Sequence, residues 1–138
     1  NNVDYMPVVH PGFSWHNLSL DYESHPGSGD LNRSPRDRGN FLWNEVNEVI
    51  SANAKSVYIA MFDEIDEGTA MFKCAETQND VPVERDWVTL DIDGYELPSD
   101  WYLRLASLTS SVVRGYEDNK GSLDAQPDPP EGSLCLRA

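Results

Sequence analysis

The residues from Asp63 to Thr69 read Asp-Glu-Ile-Asp-Glu-Gly-Thr, and here the sequence concentrates groups able to do chemistry. Asp63, Glu64, Asp66 and Glu67 are like charges crowded into one short stretch, which is costly unless a ligand or partner uses them. Carboxylates so placed can move protons to and from a bound substrate, or gather around a hard cation. The alternating oxygen spacing of a calcium loop is missing, so no metal is expected. The plain alternative is a solvated acidic loop. A second group, Phe13-Ser-Trp-His-Asn17, sets two aromatics and a histidine close together.

The elements that precede these groups determine where they fall. Val57-Tyr-Ile-Ala-Met-Phe62 is an apolar run that turns acidic within one residue. A continuous apolar run after a helical pattern predicts a parallel strand buried on both faces, with Tyr58 and Met61 in the core. Folds of this kind place their chemistry at strand C-terminal ends, where the carboxylates lie. Tyr5-Met-Pro-Val-Val-His10 predicts another buried strand, stopped by Pro11-Gly12. Phe41, Leu42, Val46, Val49 and Ile50 share one helical face and predict a helix ending near Asn53. Strand, loop, helix and strand make a βαβ unit, which forces the two strands parallel. His10 to Asn17 should therefore lie beside Asp63 to Thr69.

Beyond the acidic loop, Ala70 to Asp86 has no usable period. Trp87-Val-Thr-Leu-Asp-Ile92, the turn pair Asp93-Gly94 and Tyr95-Glu-Leu97 predict a hairpin, which accounts for Asp91-Ile-Asp-Gly94 better than a calcium loop does. Ser99 or Asp100 is the expected cap of a helix carrying Trp101, Leu103, Leu105, Leu108, Val112 and Val113 and stopping near Gly115. Asp21 to Arg38 predicts a long loop, and residues 116–138 a Pro-, Asp- and Gly-rich tail beyond a folded unit of 1–115. A pair of strands cannot close a parallel core. The chain is accordingly expected to be part of a larger α/β unit, lacking its N-terminal part, or to be completed by self-association.

The 138 residues leave room for one small domain. With 24 acidic against 10 basic residues the formal charge is -14, which disfavours nucleic acid as a partner and leaves neutral or cationic ligands. A hydrophobic content of 39% with four Trp and six Tyr argues against global disorder. No apolar run approaches the roughly 20 residues that span a bilayer, so no membrane partner is expected, and no signal peptide opens the chain. Cys74 and Cys135 permit one disulfide, with two reduced thiols equally open. Asn17-Leu-Ser19 and Asn32-Arg-Ser34 are N-glycosylation triplets, which puts secretion ahead of the cytosol as the expected location. The basic cluster from Asn32 to Arg38 is expected to pair with carboxylates of the chain itself. His10, at a strand end before Pro11, is expected to be structural.

Three ordered motifs carry a resemblance to a known family: Tyr5-Met-Pro-Val-Val-His-Pro-Gly-Phe-Ser-Trp-His-Asn17, Phe62-Asp-Glu-Ile-Asp-Glu-Gly-Thr69 and Leu97-Pro-Ser-Asp-Trp-Tyr-Leu-Arg-Leu-Ala106. Over Tyr5 to Gly115 the chain resembles the C-terminal portion of glycoside hydrolases related to families 71 and 99, in particular the bacterial and fungal proteins labelled xylosidase/arabinosidase. The resemblance implies an α/β fold, the last parallel strands and covering helices of a (β/α)8 barrel. In the endo-acting mannosidases of that clan the corresponding loop reads Asn-Glu-Trp-x-Glu-Gly-Thr. Matched residue by residue, Glu64 would be the base that activates the sugar 2-hydroxyl for internal attack. Glu67 would be the acid that protonates the leaving oxygen and later activates water. Asp63 stands where the pattern has Asn, and Ile65 where it has Trp. Trp15 and His16 suit a sugar-stacking wall with a hydrogen-bonding neighbour, because aromatic faces fit the apolar faces of pyranose rings, and a strand-end plug is equally open. Asp63 and Asp66 join them as substrate-binding residues. The implied partner is a glycan or oligosaccharide, and no cofactor is needed. A lectin-like protein that keeps the pocket without turnover is the alternative function.

Overall fold

The computed structural model describes residues 3–20 and 29–126. Strand β1 (Val8–Val9) is followed by the short helix α1 (His16–Leu20), helix α2 (Asn40–Ser51), strand β2 (Tyr58–Ile59) and helix α3 (Trp101–Val113). Single 3-10 turns occur at Asp37–Gly39, Gln78–Asp80 and Leu123–Ala125. The strands pair in parallel, Val8 opposite Tyr58 and Val9 opposite Ile59, as the βαβ unit requires. Backbone bonds from Tyr58 N to Pro7 O and from Ala60 N to Val9 O, both 2.9 Å, extend the ladder by one residue at each end.

Helix α2 forms where the apolar period is 3.6. Leu42, Trp43, Val46 and Val49 are its buried residues, and they pack with Tyr102, Leu105, Leu108 and Val112 of α3 and with Val9 of β1. Fully burying side chains of this size stabilises the fold by about 1.5–3 kcal/mol each. Gly39 opens α2 at φ 101, a backbone conformation that only glycine adopts without strain, and a Cβ there would collide with Leu105 Cδ1. Asn53, at φ 54, lies just past the end of α2 in the left-handed conformation that suits Asn.

The sheet is covered on one face only. Val9 is 2% exposed and Ile59 packs on the core, whereas their ladder neighbours Val8 and Tyr58 are 60% and 48% exposed. The expected burial of β2 on both faces, with Tyr58 in the core, is therefore overturned. Helices α2 and α3 cover the same side, and no described element covers the other. Met61 is half-buried.

Helix α3 starts at Trp101 after Asp100, but no side-chain cap bond forms. The Asp100 carboxylate is taken by Arg104, with Nε and Nη2 each 2.8 Å from Oδ1. That hydrogen bond holds the Asp100 carboxyl below its ordinary value of 3.8, with burial opposing it. A group whose pKa is lowered by folding contributes stability above its unfolded value and loses it as pH falls through the folded one. Asp100→Asn is thus expected to lower the melting temperature at neutral pH, and thermal unfolding should show the gap closing below about pH 4. A pH-independent gap would refute the pairing.

The expected hairpin over Trp87 to Leu97 is not formed. The turn is there, with Gly94 N bonded to Asp91 O at 2.8 Å and Gly94 at φ 83, but its flanks do not pair. Their side chains are bonded elsewhere. Asp93 accepts from Asn32 Nδ2 at 2.7 Å and from the Asp37 amide at 2.8 Å, and Asp91 accepts from Thr89 Oγ1 at 2.6 Å. Part of the expected tail also folds back, because Leu123 is buried in the core and Arg38 Nη1 bonds Asp124 Oδ1 at 2.9 Å.

Candidate functional site

The acidic stretch is a closed loop at the C-terminal end of β2. The chain leaves the strand through a cis Ala60–Met61 peptide. It returns so that Met71 N bonds Met61 O and Phe72 N bonds Phe62 O, each at 2.9 Å, while Met61 N bonds Thr69 O at 3.2 Å. Within this neck Ile65 N bonds Asp63 O at 2.9 Å, and Thr69 N bonds Glu64 O at 3.2 Å. Gly68, at φ 66, makes the final turn. A Cβ at Gly68 would lie 3.1 Å from Val88 Cγ2 and 3.4 Å from Ser14 Cβ, so both close approach and conformation ask for glycine.

Ser14 N donates to Glu67 O at 2.6 Å, which joins the segment after β1 to the carboxylate loop. The expected neighbourhood of His10 to Asn17 and Asp63 to Thr69 is therefore present. The two strand ends are fixed by backbone bonds, and the carboxylates are left outward. Asp63, Glu64 and Asp66 are exposed and Glu67 is half-buried. Phe62, expected in a buried strand, is 65% exposed beside Asp63, its ring 6.0 Å from that of Phe72. An exposed ring next to carboxylates can stack on the apolar face of a ligand. Its place just before the charged residues was the available signal.

The loop rests on Arg36, which is 3% exposed. Its Nε donates to Gly68 O at 2.8 Å and its Nη2 to Ala70 O at 3.1 Å, and the guanidinium lies 4.6 Å over the Tyr102 ring. The expectation that this basic cluster pairs with carboxylates holds for Arg38 and fails for Arg36, whose donors go to loop carbonyls. Burial pushes the Tyr102 phenol up, with the Arg36 charge opposing.

Trp15 is half-buried, its ring 6.1 Å from that of Phe13, and it packs against Gly29, where a Cβ would lie 2.6 Å from Trp15 Cδ1. His16 faces Gly29 O through Nδ1 at 3.0 Å and Asp86 Oδ2 through Nε2 at 3.1 Å. Both of its nitrogens are taken, which differs from a histidine offered to ligand. His10 is similarly held, Nδ1 against Gly12 O at 3.1 Å and Nε2 3.6 Å from Glu45 Oε1, a structural placement. Asn17 is 5% exposed with Nδ2 donated to Asp86 O at 2.7 Å, and Asn32 donates Nδ2 to Asp93 Oδ1 at 2.7 Å. Cys74 is half-buried, its Sγ 3.3 Å from Phe72 O; Cys135, its candidate disulfide partner, lies outside the described residues. Among the described residues no three His, Cys, Asp or Glu side chains are grouped to hold a metal ion, and no helix is long and apolar enough to cross a membrane.

Parallel strands joined through a helix, with a carboxylate loop where the strands end, are consistent with part of an α/β barrel. The structure is similar to that of the GH99 endo-alpha-mannosidase from Bacteroides thetaiotaomicron, at TM-score 0.63 and 18% identity over 86% of this chain. A second structure of that enzyme, in complex with bis-tris-propane, gives TM-score 0.62 and 18% identity over 83%. The chain spans 30% and 31% of the length of those proteins, and the described residues do not close a barrel. No family model and no curated protein matches the sequence.

Proposed function

We propose that this chain is the carboxylate-bearing part of a glycoside hydrolase-like protein, binding a glycan over the Asp63 to Thr69 loop and cleaving it there. The observation that carries this reading is the bond from Ser14 N to Glu67 O, which brings both strand C-terminal ends to one loop with the carboxylates facing outward. In this reading Glu64 is the base that takes a proton from the sugar 2-hydroxyl. Glu67 is the acid that protonates the leaving oxygen and then activates water. Phe62 and Trp15 offer aromatic faces, Asp63 and Asp66 accept hydrogen bonds from sugar hydroxyls, and His16 positions the neighbouring turn. The fold likeness to a GH99 endo-alpha-mannosidase supports the class, and the matching Glu-x-x-Glu-Gly-Thr order supports the roles.

A second reading, glycan binding without turnover, is favoured by the uncovered face of Val8 and Tyr58. Among the described residues nothing covers that face, and an open site lacks the walls that exclude water from a closed barrel. Incubation with a panel of oligosaccharides, followed by chromatography of the products, separates the two. New reducing ends support cleavage, and retention of intact glycan supports the binding protein. Neither result with any panel member would dismiss both.

A further inference from the structure

A cleft of about 310 Å³ lies behind the carboxylate loop, and neither Glu64 nor Glu67 lines it. Its apolar walls include Ile65, Phe72, Val81, Pro82, Trp87 and Val88. This volume is at the lower end of small-molecule pockets, the size of a single ring with substituents.

The polar groups of the wall are already engaged. Arg36 spends its Nε and Nη2 on Gly68 O and Ala70 O. The Thr89 hydroxyl accepts from Gln78 Nε2 at 2.7 Å and donates to Asp91 Oδ1 at 2.6 Å. Trp87 Nε1 donates to Pro82 O at 3.1 Å, and Cys74 Sγ lies 3.3 Å from Phe72 O. A sugar entering here would find few free hydrogen-bond partners for its hydroxyls along these walls. A flat aromatic ring loses nothing of the kind and gains contact with Phe72 and Trp87. Lys73 also lines the cleft and is exposed, and an ammonium there suits the oxygen of an ionised phenol.

We propose that this cleft binds a phenolic ring, either a free phenol or the aglycone of an aryl glycoside. Ile65 belongs to the carboxylate loop, and Gly68 sits against Val88, so an occupant would back the loop directly. Binding of the ring stands apart from the glycan reading. Only the aglycone role rests on it.

The test is an NMR titration of the full chain with 4-nitrophenol, a phenyl glycoside and the methyl glycoside of the same sugar. The two phenolic probes should shift the Trp87 indole signal, and the methyl glycoside should not. Ala75→Phe, which fills the cleft, should weaken the phenolic probes at least about tenfold while leaving the methyl glycoside unaffected. If that variant fails to fold, Val81→Trp fills the cleft from another wall. Tighter binding of the phenyl glycoside than of 4-nitrophenol assigns the aglycone role, and equal binding assigns free phenols. Equal shifts from the methyl glycoside, or undiminished binding in a folded filled variant, would overturn the proposal.

Discussion

Glu67→Gln is expected to slow glycoside cleavage by about 10²–10⁴-fold and to leave glycan affinity within a few-fold of the parent. The amide keeps the shape of the carboxyl but can neither give the leaving oxygen its proton nor activate water afterwards. Its effect should be local. The backbone position of residue 67 is set by Ser14 N at its carbonyl and by the turn at Gly68, neither of which uses the side chain. Glu64→Gln should lower the rate as well, through loss of the base, again with binding retained. Measurement of kcat against KM in both variants decides the matter, since a purely structural role would move stability and KM together. An unchanged rate in Glu67→Gln would sink its assignment as the acid.

Arg36→Met should destabilise the fold by about 2–6 kcal/mol, because Gly68 O and Ala70 O lose their donors and a buried unsatisfied acceptor costs about 1–3 kcal/mol. Methionine restores much of the lost volume, so the loss reports hydrogen bonds more than a cavity. Lysine should not rescue the site, since a point charge cannot reach two carbonyls and cover the Tyr102 ring as a planar fork does. Urea unfolding gives the size of the effect, and amide exchange at Gly68 to Met71 shows whether the loop opens first. A change below about 1 kcal/mol would mean the guanidinium does not hold the loop.

The parallel pairing of β1 and β2 was legible in the sequence because a βαβ crossover forces the two strands parallel, whereas the register of Val8 opposite Tyr58 was not. Helix α2 was legible because Leu42, Val46 and Val49 repeat with a helical period. The exposed face of β2 was not, since a continuous apolar run carries no mark of which side is covered. The hairpin failed for a related reason: Asp91 and Asp93 fit a turn locally, and their bonds to Thr89, Asn32 and Asp37 are set by tertiary packing. Arg36 was hidden among exposed-looking basic residues, because a guanidinium bonded to carbonyls has no sequence period. The carboxylate loop itself was visible by composition, and its contact with Ser14 by topology.

The central claim is that the Asp63 to Thr69 loop, joined to Ser14, receives a glycan. The most direct measurement is an NMR titration of the labelled protein with the oligosaccharide panel, following the backbone amides of the whole chain. The account predicts that at least one oligosaccharide shifts the amides of Ser14, Trp15, Glu64, Glu67 and Gly68 together, with saturation. Shifts confined to other surfaces, or no response to any glycan, would contradict it.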